Sequence, residues 1–274
     1  MRKVVIATPV SGGLPVFYVR NLLQAISAKI PNVAWIPMFM MGQGVQIARS
    51  EIVMEARKFN PDELIFLDRD LDVNVNMMAR MLSHEHEDIV CSMYCKKTID
   101  THWHVQGWSE EEEPDKNGLL RVKQAAIGFS KIKMSVFDRI QEKNPDRRGW
   151  LREVGTANWE LWDFFPMELL GPGTPLERMR AVKDILDNPS LDTQEKINQI
   201  DMAVYKQHTE PNLHMGEDYW FCRLAREAGI KIKLDTELII PHEGNIKFPV
   251  MTKDAVRILK EEWRQDDIKK EAIG

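Results

Sequence analysis

Four short apolar runs in the first hundred residues, each rich in β-branched side chains, alternate with amphipathic stretches. The runs are "KVVIATP", "VAWIPMFM", "ELIFLD" and "DIVCSMY". The stretches between them, "FYVRNLLQAISAKI", "VQIARSEIVMEARKF" and "VNMMARMLSH", place apolar residues at helical spacing. Strands that alternate with helices are typical of βαβ units around a parallel sheet. This alternation therefore predicts an α/β fold for the N-terminal half, of a type that often binds nucleotides.

The pattern changes after about residue 100. "WSEEEEPDKNGLLRV" predicts a strand pair around an acidic turn, and "QAAIGFSKIKMSVFDRI" predicts a strand that leads into a helix. Residues 145–215 lack strand alternation and contain two helical stretches, which predicts a helical insertion or lid. We expect one domain, 1–274, made of a nucleotide-binding half (1–100), an acceptor half (100–215), a return to the core (216–245) and a terminal helix (246–274).

Composition limits the class of protein. The chain has 43% hydrophobic and 29% charged residues in 274, enough for a full core. The net charge of −5 gives no global basic field for nucleic acid. No segment approaches the about 20 apolar residues that cross a bilayer, and the start lacks the features of a secretory signal. We expect a soluble cytoplasmic protein without a membrane segment, in the host cell if the source is viral.

The three cysteines do not indicate a disulfide framework. Cys91 and Cys95 fall on one predicted strand, where four residues separate them by about 13 Å. A disulfide needs Cα atoms within about 7 Å. We expect buried thiols.

The third apolar run ends in three aspartates, Asp68, Asp70 and Asp72, in "ELIFLDRDLDV". In open α/β sheets ligands bind beyond the carboxyl ends of the strands. Two carboxylates there would bind a divalent cation, which would neutralise the phosphates of a nucleotide. The alternative is a solvated strand end, with Asp72 as the N-cap of the next helix.

A second acidic site opens "MGEDYWFCRLAREAGIKIKLDTELIIPHEG". Glu217 and Asp218 begin an amphipathic helix that Gly229 ends, and a strand and an exposed "PHEG" follow. The helix dipole would keep Asp218 ionised, as a carboxylate base requires. The alternative is that the pair only caps the helix.

Taken together, the segments "VVIATP", "IARSEIVMEA", "LIFLDRDL", "DIVCSMYCKK", "GFSKIKMSVFDRI" and "GEDYWFCRLAREAGIKIKLDTELIIPHEG" resemble nucleotide-sugar glycosyltransferases of the GT-A type, in the branch of the large inverting family and related phage enzymes. The resemblance covers about residues 3–100, 125–140 and 215–245. It implies a GT-A-like, Rossmann-type mixed sheet flanked by helices, with the helical lid in the C-terminal half.

The resemblance also implies a metal and nucleotide clamp. The family's D-x-D motif falls on Asp68, which would contact the nucleoside ribose, and on Asp70, which would bind the metal. His242 in "PHEG" matches the family's late metal-ligand histidine. A mixed oxygen and imidazole set suits Mn²⁺ or Mg²⁺.

The remaining implied roles concern the donor and the base. Thr8 and Pro9 match the nucleotide-contacting end of the first strand, and Arg49 matches a basic residue near the donor. Asp218, with Glu217 beside it, matches the acidic pair that supplies the base in inverting members.

The sequence thus predicts a metal-dependent glycosyltransferase with a nucleotide-diphosphate sugar, by preference a UDP-sugar, as donor. The acceptor is a hydroxymethylated base in phage-type DNA, a saccharide or a protein. A non-catalytic nucleotide-binding or lectin-like module and a nucleotidyltransferase are the alternatives. The loop "TPVSGGLPV" has no lysine or arginine, which disfavours the nucleotidyltransferase.

Two further clusters have competing interpretations. The alternate histidines of "HEHED" and "THWHVQ" would share a strand face, which suits either a zinc site or solvated side chains. Cations and tryptophans in "KNPDRRGWLREVGTANWELW" would grip a nucleic acid or a sugar, or the tryptophans pack inside the lid. The residues concerned are His84, His86, His102, His104, Lys143, Arg147, Arg148, Arg152, Trp150, Trp159 and Trp162.

Overall fold

The computed structural model describes residues 1–28, 30–41, 44–94, 105–106, 113–145, 151–154, 157–166, 168–169, 182–204, 214–243 and 247–248. The first half contains β1 (Arg2–Val10), α1 (Val16–Ser27), β2 (Val33–Met41), α2 (Val45–Arg57), β3 (Glu63–Leu67), α3 (Val75–Ser83), β4 (Ile89–Met93), β5 (Val105–Gln106), β6 (Leu119–Val122), β7 (Gln124–Ala125), β8 (Phe129–Lys133) and α4 (Met134–Lys143). The rest contains β9 (Leu151–Val154), β10 (Ala157–Glu160), β11 (Glu168–Leu169), a helical segment at 182–187, α5 (Thr193–Val204), β12 (His214–Met215), α6 (Glu217–Glu227), β13 (Ile232–Ile239), β14 (His242–Glu243) and β15 (Lys247–Phe248).

A seven-stranded mixed sheet forms the centre of the fold, in the order β2-β1-β3-β8-β4-β13-β6. β1 is parallel to β2 and β3, and β4 is parallel to β13. β8 enters between β3 and β4 and runs antiparallel to both. The prediction of a mixed α/β sheet flanked by helices is confirmed.

Helices cover both faces of this sheet. Successive residues of a strand point to opposite faces, so each strand contributes side chains to the core on both sides. Val5 and Ala7 of β1 pack into a core cluster with residues of α2, α4 and α6. Val4 and Ile6 pack into a second cluster with residues of α1 and α3. β3 and β4 are buried along their whole length, which explains why both read as continuous apolar runs.

The chain changes direction across β1. From β1 it passes through α1 to β2 on one side, and then through α2 to β3 on the other side. The strand order therefore reverses between β1 and β3, whose carboxyl ends lie side by side at this switch point. In open α/β sheets such a switch point is where ligands bind.

The chain divides into two compact units, 1–166 with 217–274, and 167–216. The second unit contains the segment 182–187, α5 and the short antiparallel pair β11–β12. The predicted insertion, 145–215, overlaps it, and the prediction of one domain stays a prediction. The predicted terminal helix lies outside the described residues, except for Lys247–Phe248, which pair with β14.

One local prediction needs correction. Residues 151–154 and 157–160 form the β9–β10 hairpin, so the stretch 145–215 contains strands as well as helices. Gly155 and Thr156 separate these strands in the sequence, and a two-residue connection that contains glycine is a hairpin signal. β6 follows the predicted turn and pairs with β13, whereas the other strand of the predicted pair falls on residues 107–112, outside the described residues.

The prediction of buried thiols is confirmed for Cys91, whereas Cys95 lies outside the described residues. Cys222 is also buried and free. In the part of the chain that the structure describes, no helix is long and apolar enough to cross a membrane.

Candidate functional site

A cavity of about 240 Å³ lies at the switch point between β1 and β3. Pro9 and Ser11 line it from the end of β1, Gly44 and Ala48 from the start of α2, and Asp68 to Asp70 from the end of β3. Arg69 is the only cationic side chain among the described residues that line it. This cavity lies at the strand end where the sequence predicts a ligand site, and the ligand site itself stays a prediction.

Thr8 and Pro9 occupy different positions at the end of β1. Pro9 lines the cavity, whereas Thr8 is buried beneath it, with 1% of its surface exposed. The Thr8 hydroxyl donates to the carbonyl of Leu67 at 2.8 Å and is hydrogen-bonded to the Tyr18 hydroxyl. Thr8 therefore ties β1 to β3, and burial raises the pKa of Tyr18 to about 12.

Asp70 and His242 are brought together by backbone pairing between distant segments. Leu71 forms an antiparallel bridge with His242, and the Asp72 amide donates to the carbonyl of Pro241 at 3.0 Å. As a result His242 Nε2 lies 3.4 Å from Asp70 Oδ2. The two predicted metal ligands are therefore neighbours.

Asp72 has a structural role that differs from the alternative of a helix cap. Its Oδ1 accepts from the Asn21 side chain at 2.7 Å, which links the loop to α1. The N-cap of α3 is Asn74, whose side chain accepts from the Met77 amide at 3.1 Å. Asn74, two residues further on, takes the N-cap position instead. Asp72 is held elsewhere, because its amide is hydrogen-bonded to Pro241, directly before β14.

Tyr94 and Gly128 also shape the site, and the sequence reading missed both. The Tyr94 hydroxyl accepts from the Gly128 amide at 3.0 Å, and its ring packs edge-on against His242, with 5.5 Å between ring centroids. A Cβ at Gly128 would lie 2.5 Å from the Tyr94 hydroxyl and 2.6 Å from Asp68 Oδ2. The only sequence signal is a glycine directly before a buried strand, which marks a close backbone approach.

Arg49 lies under the site and contacts three carboxylates. Its Nη2 donates to both oxygens of Asp68 at 3.0 and 3.2 Å, and its Nη1 donates to Glu217 Oε1 at 3.1 Å and to Asp218 Oδ1. The residue is 1% exposed, and its guanidinium lies over the Phe66 ring. The structure thus places Arg49 against the carboxylates of the site. Its predicted role in binding the donor stays a prediction.

Burial raises the pKa of two carboxylates in this cluster. It raises the pKa of Asp218 to about 6, against the opposing effect of Arg49 and with a further increase from Glu217. Burial also raises the pKa of Asp68, again opposed by Arg49. Burial alone would lower the pKa of Arg49, but the carboxylates of Asp218, Asp68 and Glu217 outweigh it and raise that pKa.

Burial opposes the expected effect of the helix dipole, which favours the ionised form of Asp218. Asp218 does begin α6, and a dipole favours its charge by about 0.3–1 kcal/mol. Desolvation raises the pKa of Asp218 by more than the dipole lowers it, because the side chain is only 20% exposed. The charge of Glu217 beside it raises the pKa further. The Ile127 amide, which donates to Asp218 Oδ2 at 3.3 Å, offsets only part of these increases.

The Asp70 and His242 pair fits a divalent cation that is shared with a ligand. Neighbouring ligands on an octahedral cation of the size of Mg²⁺ lie about 3 Å apart, close to the observed separation of the two side chains. Among the described residues, no group of three or more histidine, cysteine, aspartate or glutamate side chains is arranged to hold a metal ion. A cation here would therefore take further ligands from water and from phosphate oxygens, as Mg²⁺ commonly does.

Of the histidine and tryptophan clusters, the structure describes the side chains of His84, His86 and Trp162, and His86 is exposed. His84 ends α3 and is 8% exposed, so it is not solvated; its Nε2 lies 2.7 Å from Asp235, which Arg80 also contacts. Trp162 is buried in the main core. The described residues do not include the side chains of His102, His104, Arg147, Arg148, Arg152, Trp150 and Trp159.

No protein-family model matches this sequence, and no curated protein is significantly similar to it. Among solved structures, the chain is similar to A197 from STIV, with a TM-score of 0.41 and 12% identity over 92% of this chain and 98% of that one. It is also similar to HddC from Yersinia pseudotuberculosis, which was solved in complex with GMP-PN, with a TM-score of 0.31 and 11% identity over 50% of this chain and 78% of that one. At these values the likenesses carry no conclusion about function.

Proposed function

We propose that the chain is a metal-dependent glycosyltransferase of the GT-A type, which moves a sugar from a nucleotide-diphosphate sugar to an acceptor hydroxyl. The observation that carries the proposal is the meeting of four side chains from distant parts of the chain at the carboxyl end of β3. Asp68 and Asp70 line the cavity, His242 lies beside Asp70, and Asp218 shares Arg49 with Asp68.

In this proposal Asp70 and His242 would hold Mn²⁺ or Mg²⁺, which would supply positive charge to stabilise the departing diphosphate. Asp68 contacts the ribose, and Pro9 lines the space for the nucleoside. Arg69 supplies positive charge for a phosphate, since its side chain lines the same cavity. Its Nη1 donates to the Gly13 carbonyl at 2.7 Å. The preferred donor is a UDP-sugar.

Asp218 deprotonates the acceptor hydroxyl. Its pKa of about 6 suits this task, because the carboxylate is mostly ionised at neutral pH while it keeps a higher proton affinity than an exposed aspartate. Glu217 contributes by keeping that pKa high.

The acceptor class that we favour is a hydroxymethylated base in DNA of the phage type. Such an enzyme has to reach the base outside the stack, by flipping or on an opened strand. With a net charge of −5, any contact with DNA has to be local rather than global. A saccharide or a protein acceptor is the other outcome of the test.

The first experiment is thermal-shift screening of the purified protein against UDP, GDP, CDP and TDP, each with Mn²⁺ and with chelator. Binding to the native state raises the melting temperature in proportion to the logarithm of ligand excess. We expect one nucleotide to stabilise the protein only when the metal is present. The absence of a shift with every nucleotide would refute the proposal.

Substitution of one aspartate tests the metal site. We expect Asp70→Asn to weaken metal-dependent nucleotide binding at least about tenfold, as loss of a ligand does in such sites. The matched control is Asp62→Asn, which removes an exposed carboxylate at the opposite end of β3, where it accepts from the Lys3 amide. Wild-type affinity and turnover in Asp70→Asn would exclude this metal role.

Transfer assays then identify the acceptor. The labelled sugar nucleotide is offered with hydroxymethylated DNA, unmodified DNA, oligosaccharides and protein. Label on hydroxymethylated DNA alone supports the favoured acceptor, and a lack of salt-sensitive DNA retention counts against it. Release of pyrophosphate from a sugar phosphate and a nucleoside triphosphate would instead identify a nucleotidyltransferase.

A further inference from the structure

Arg49 connects three separate segments of the chain. It comes from α2, its Nη2 reaches Asp68 after β3, and its Nη1 reaches Glu217 and Asp218 at the start of α6. The contacted residues lie 19, 168 and 169 positions away in the sequence. One planar group thus joins the nucleotide end of the site to its acid–base end.

The charges of this cluster are poorly suited to a purely structural role. Three carboxylates surround one guanidinium whose side chain is 2% exposed, so the group carries excess negative charge in a partly desolvated place. Buried ion pairs seldom repay their desolvation even when the charges balance. Departures of this kind are expected at functional sites.

Arginine also has a geometry that lysine lacks. The fork of the guanidinium presents Nη1 and Nη2 to different carboxylates at the same time, whereas an ammonium is a single point charge. Arg49 Nε is buried and has no hydrogen-bond partner in the described part of the chain. All the hydrogen bonds that the structure gives this guanidinium therefore go to residues of the site.

We propose that Arg49 is a positioning residue that couples the two ends of the site, so that a ligand that engages Asp68 changes how strongly Arg49 holds Asp218. The roles of Asp68 and Asp218 rest on the proposed function, but the coupling between their side chains does not. When a nucleotide and its metal contact Asp68, that carboxylate interacts less with Arg49. Arg49 then interacts more strongly with Asp218 and favours its ionised form. The base is then ready only after the donor has bound.

Several groups besides Arg49 face Asp218 and enter its titration. Glu217 is its neighbour on α6, Asp68 approaches from β3, and Tyr94 approaches from the end of β4. Three other groups interact with Asp218 electrostatically: Tyr219, Cys222 and Cys91. Burial raises the pKa of Tyr94, Cys91 and Cys222, so these groups stay neutral while Asp218 titrates.

The test follows the Asp218 carboxyl by carbon NMR in the ligand-free full chain, with Asp218→Asn for assignment. We expect the midpoint to lie near 6 in the wild type. It should rise by about one pH unit or more in Arg49→Gln, since an opposite charge within hydrogen-bond distance shifts a pKa by about 1–3. In Arg49→Lys the midpoint should lie between the values of the wild type and Arg49→Gln. The affinity for UDP with Mg²⁺ should still fall about tenfold relative to the wild type, because lysine cannot contact both ends of the site.

Arg57 provides a matched control on the same helix. It also lies over a phenylalanine, Phe164, and pairs with Asp138, but it contacts none of the site carboxylates that the structure describes. Arg57→Gln and Arg57→Lys should lower the melting temperature without a change in the Asp218 midpoint or in nucleotide affinity. Arg49 variants that lose stability but keep both wild-type values would overturn the proposal in favour of a structural role.

A double-substitution cycle isolates the coupling itself. Asp68→Asn should lower the Asp218 midpoint in the wild type, because Arg49 is then shared by fewer carboxylates, and should lower it less in Arg49→Lys. Equal shifts in both backgrounds would overturn the coupling. If the wild type binds no nucleotide, the proposed function fails, while the carboxyl titrations still decide the role of Arg49.

Discussion

At the scale of single residues, desolvation decides the direction in which the pKa values of Asp68 and Asp218 shift. Asp218 begins a helix and contacts an arginine, and both features favour its ionised form. Its pKa is nevertheless raised to about 6, because burial and Glu217 act in the opposite direction. A carboxylate of this kind costs the fold stability and titrates closer to neutral pH than an exposed aspartate.

This pKa predicts a characteristic dependence of stability on pH. The native state binds the Asp218 proton more tightly than the unfolded chain does, so stability falls as the pH rises from about 4 to about 6. Asp218→Asn, which resembles the protonated form, should remove this fall and be more stable than the wild type at pH 7 by roughly 1–3 kcal/mol. Chemical denaturation of both proteins across this range measures the difference.

The same group should control the rate. Transfer should decline as the pH falls below about 6, because the base becomes protonated, and Asp218→Asn should be inactive across the range while it still binds nucleotide. For the stability measurement above, a difference between the wild type and Asp218→Asn that does not vary between pH 4 and 7 would show that Asp218 is not the group that titrates.

At the scale of elements, α6 delivers the acidic pair to the site because its opposite face is anchored in the core. Phe221 is fully buried, and its ring stacks on Phe165 at 4.9 Å and lies 5.8 Å from Phe137. The apolar positions of "EDYWFCRLARE" give the helix one buried face. This packing therefore positions the first turn of α6, together with the contacts of Glu217 and Asp218 with Arg49.

Removal of this anchor should damage stability and function together. Phe221→Ala should cost about 3–5 kcal/mol, as truncation of a buried phenylalanine usually does, and should weaken transfer because Asp218 is no longer fixed. Arg223→Ala is the control on the same helix; Arg223 is half-exposed and pairs with Glu227, so its loss should cost about 0–1 kcal/mol. Equal losses of stability in the two variants would contradict the assignment of Phe221 as the anchor.

At the scale of the whole molecule, the residues of the proposed site all belong to the first compact unit. The second unit, 167–216, enters and leaves through the strand pair β11–β12, in which Leu169 is opposite His214. Opposite residues of an antiparallel pair lie about 5 Å apart at their Cα atoms, so a two-residue turn can join them. The chain can therefore be shortened without a long linker.

We predict that a variant in which Asn-Gly replaces residues 170–213 folds and keeps metal-dependent nucleotide binding. Thermal shift with UDP and Mn²⁺ tests this directly, with circular dichroism as the check on folding. A variant that folds but no longer binds the nucleotide would show that the removed segment contributes to the donor site. Retained binding with loss of transfer would assign the segment to the acceptor.

Much of the fold could be predicted from the sequence, because each local signal agrees with the tertiary arrangement. The apolar runs became β1 to β4, the amphipathic stretches became α1 to α3, and "GFSKIKMSVFDRI" became β8 and α4. The β9–β10 hairpin was missed, since its signal is a single glycine between short strands. The pairing of β6 with β13 could not be predicted, because pairing between distant strands has no local signature.

The sequence by itself determined the alternation of strands and helices, the acidic end of β3 and the acidic start of α6, since hydrophobic periodicity and helix-start signals are local. Only the tertiary structure decided that His242 meets Asp70 across a backbone bridge, that Tyr94 packs on that histidine, and that Arg49 is buried beneath the carboxylates. The direction of the Asp218 pKa was likewise decided there. Desolvation and long-range contacts depend on which segments pack together, and no stretch of sequence contains that information.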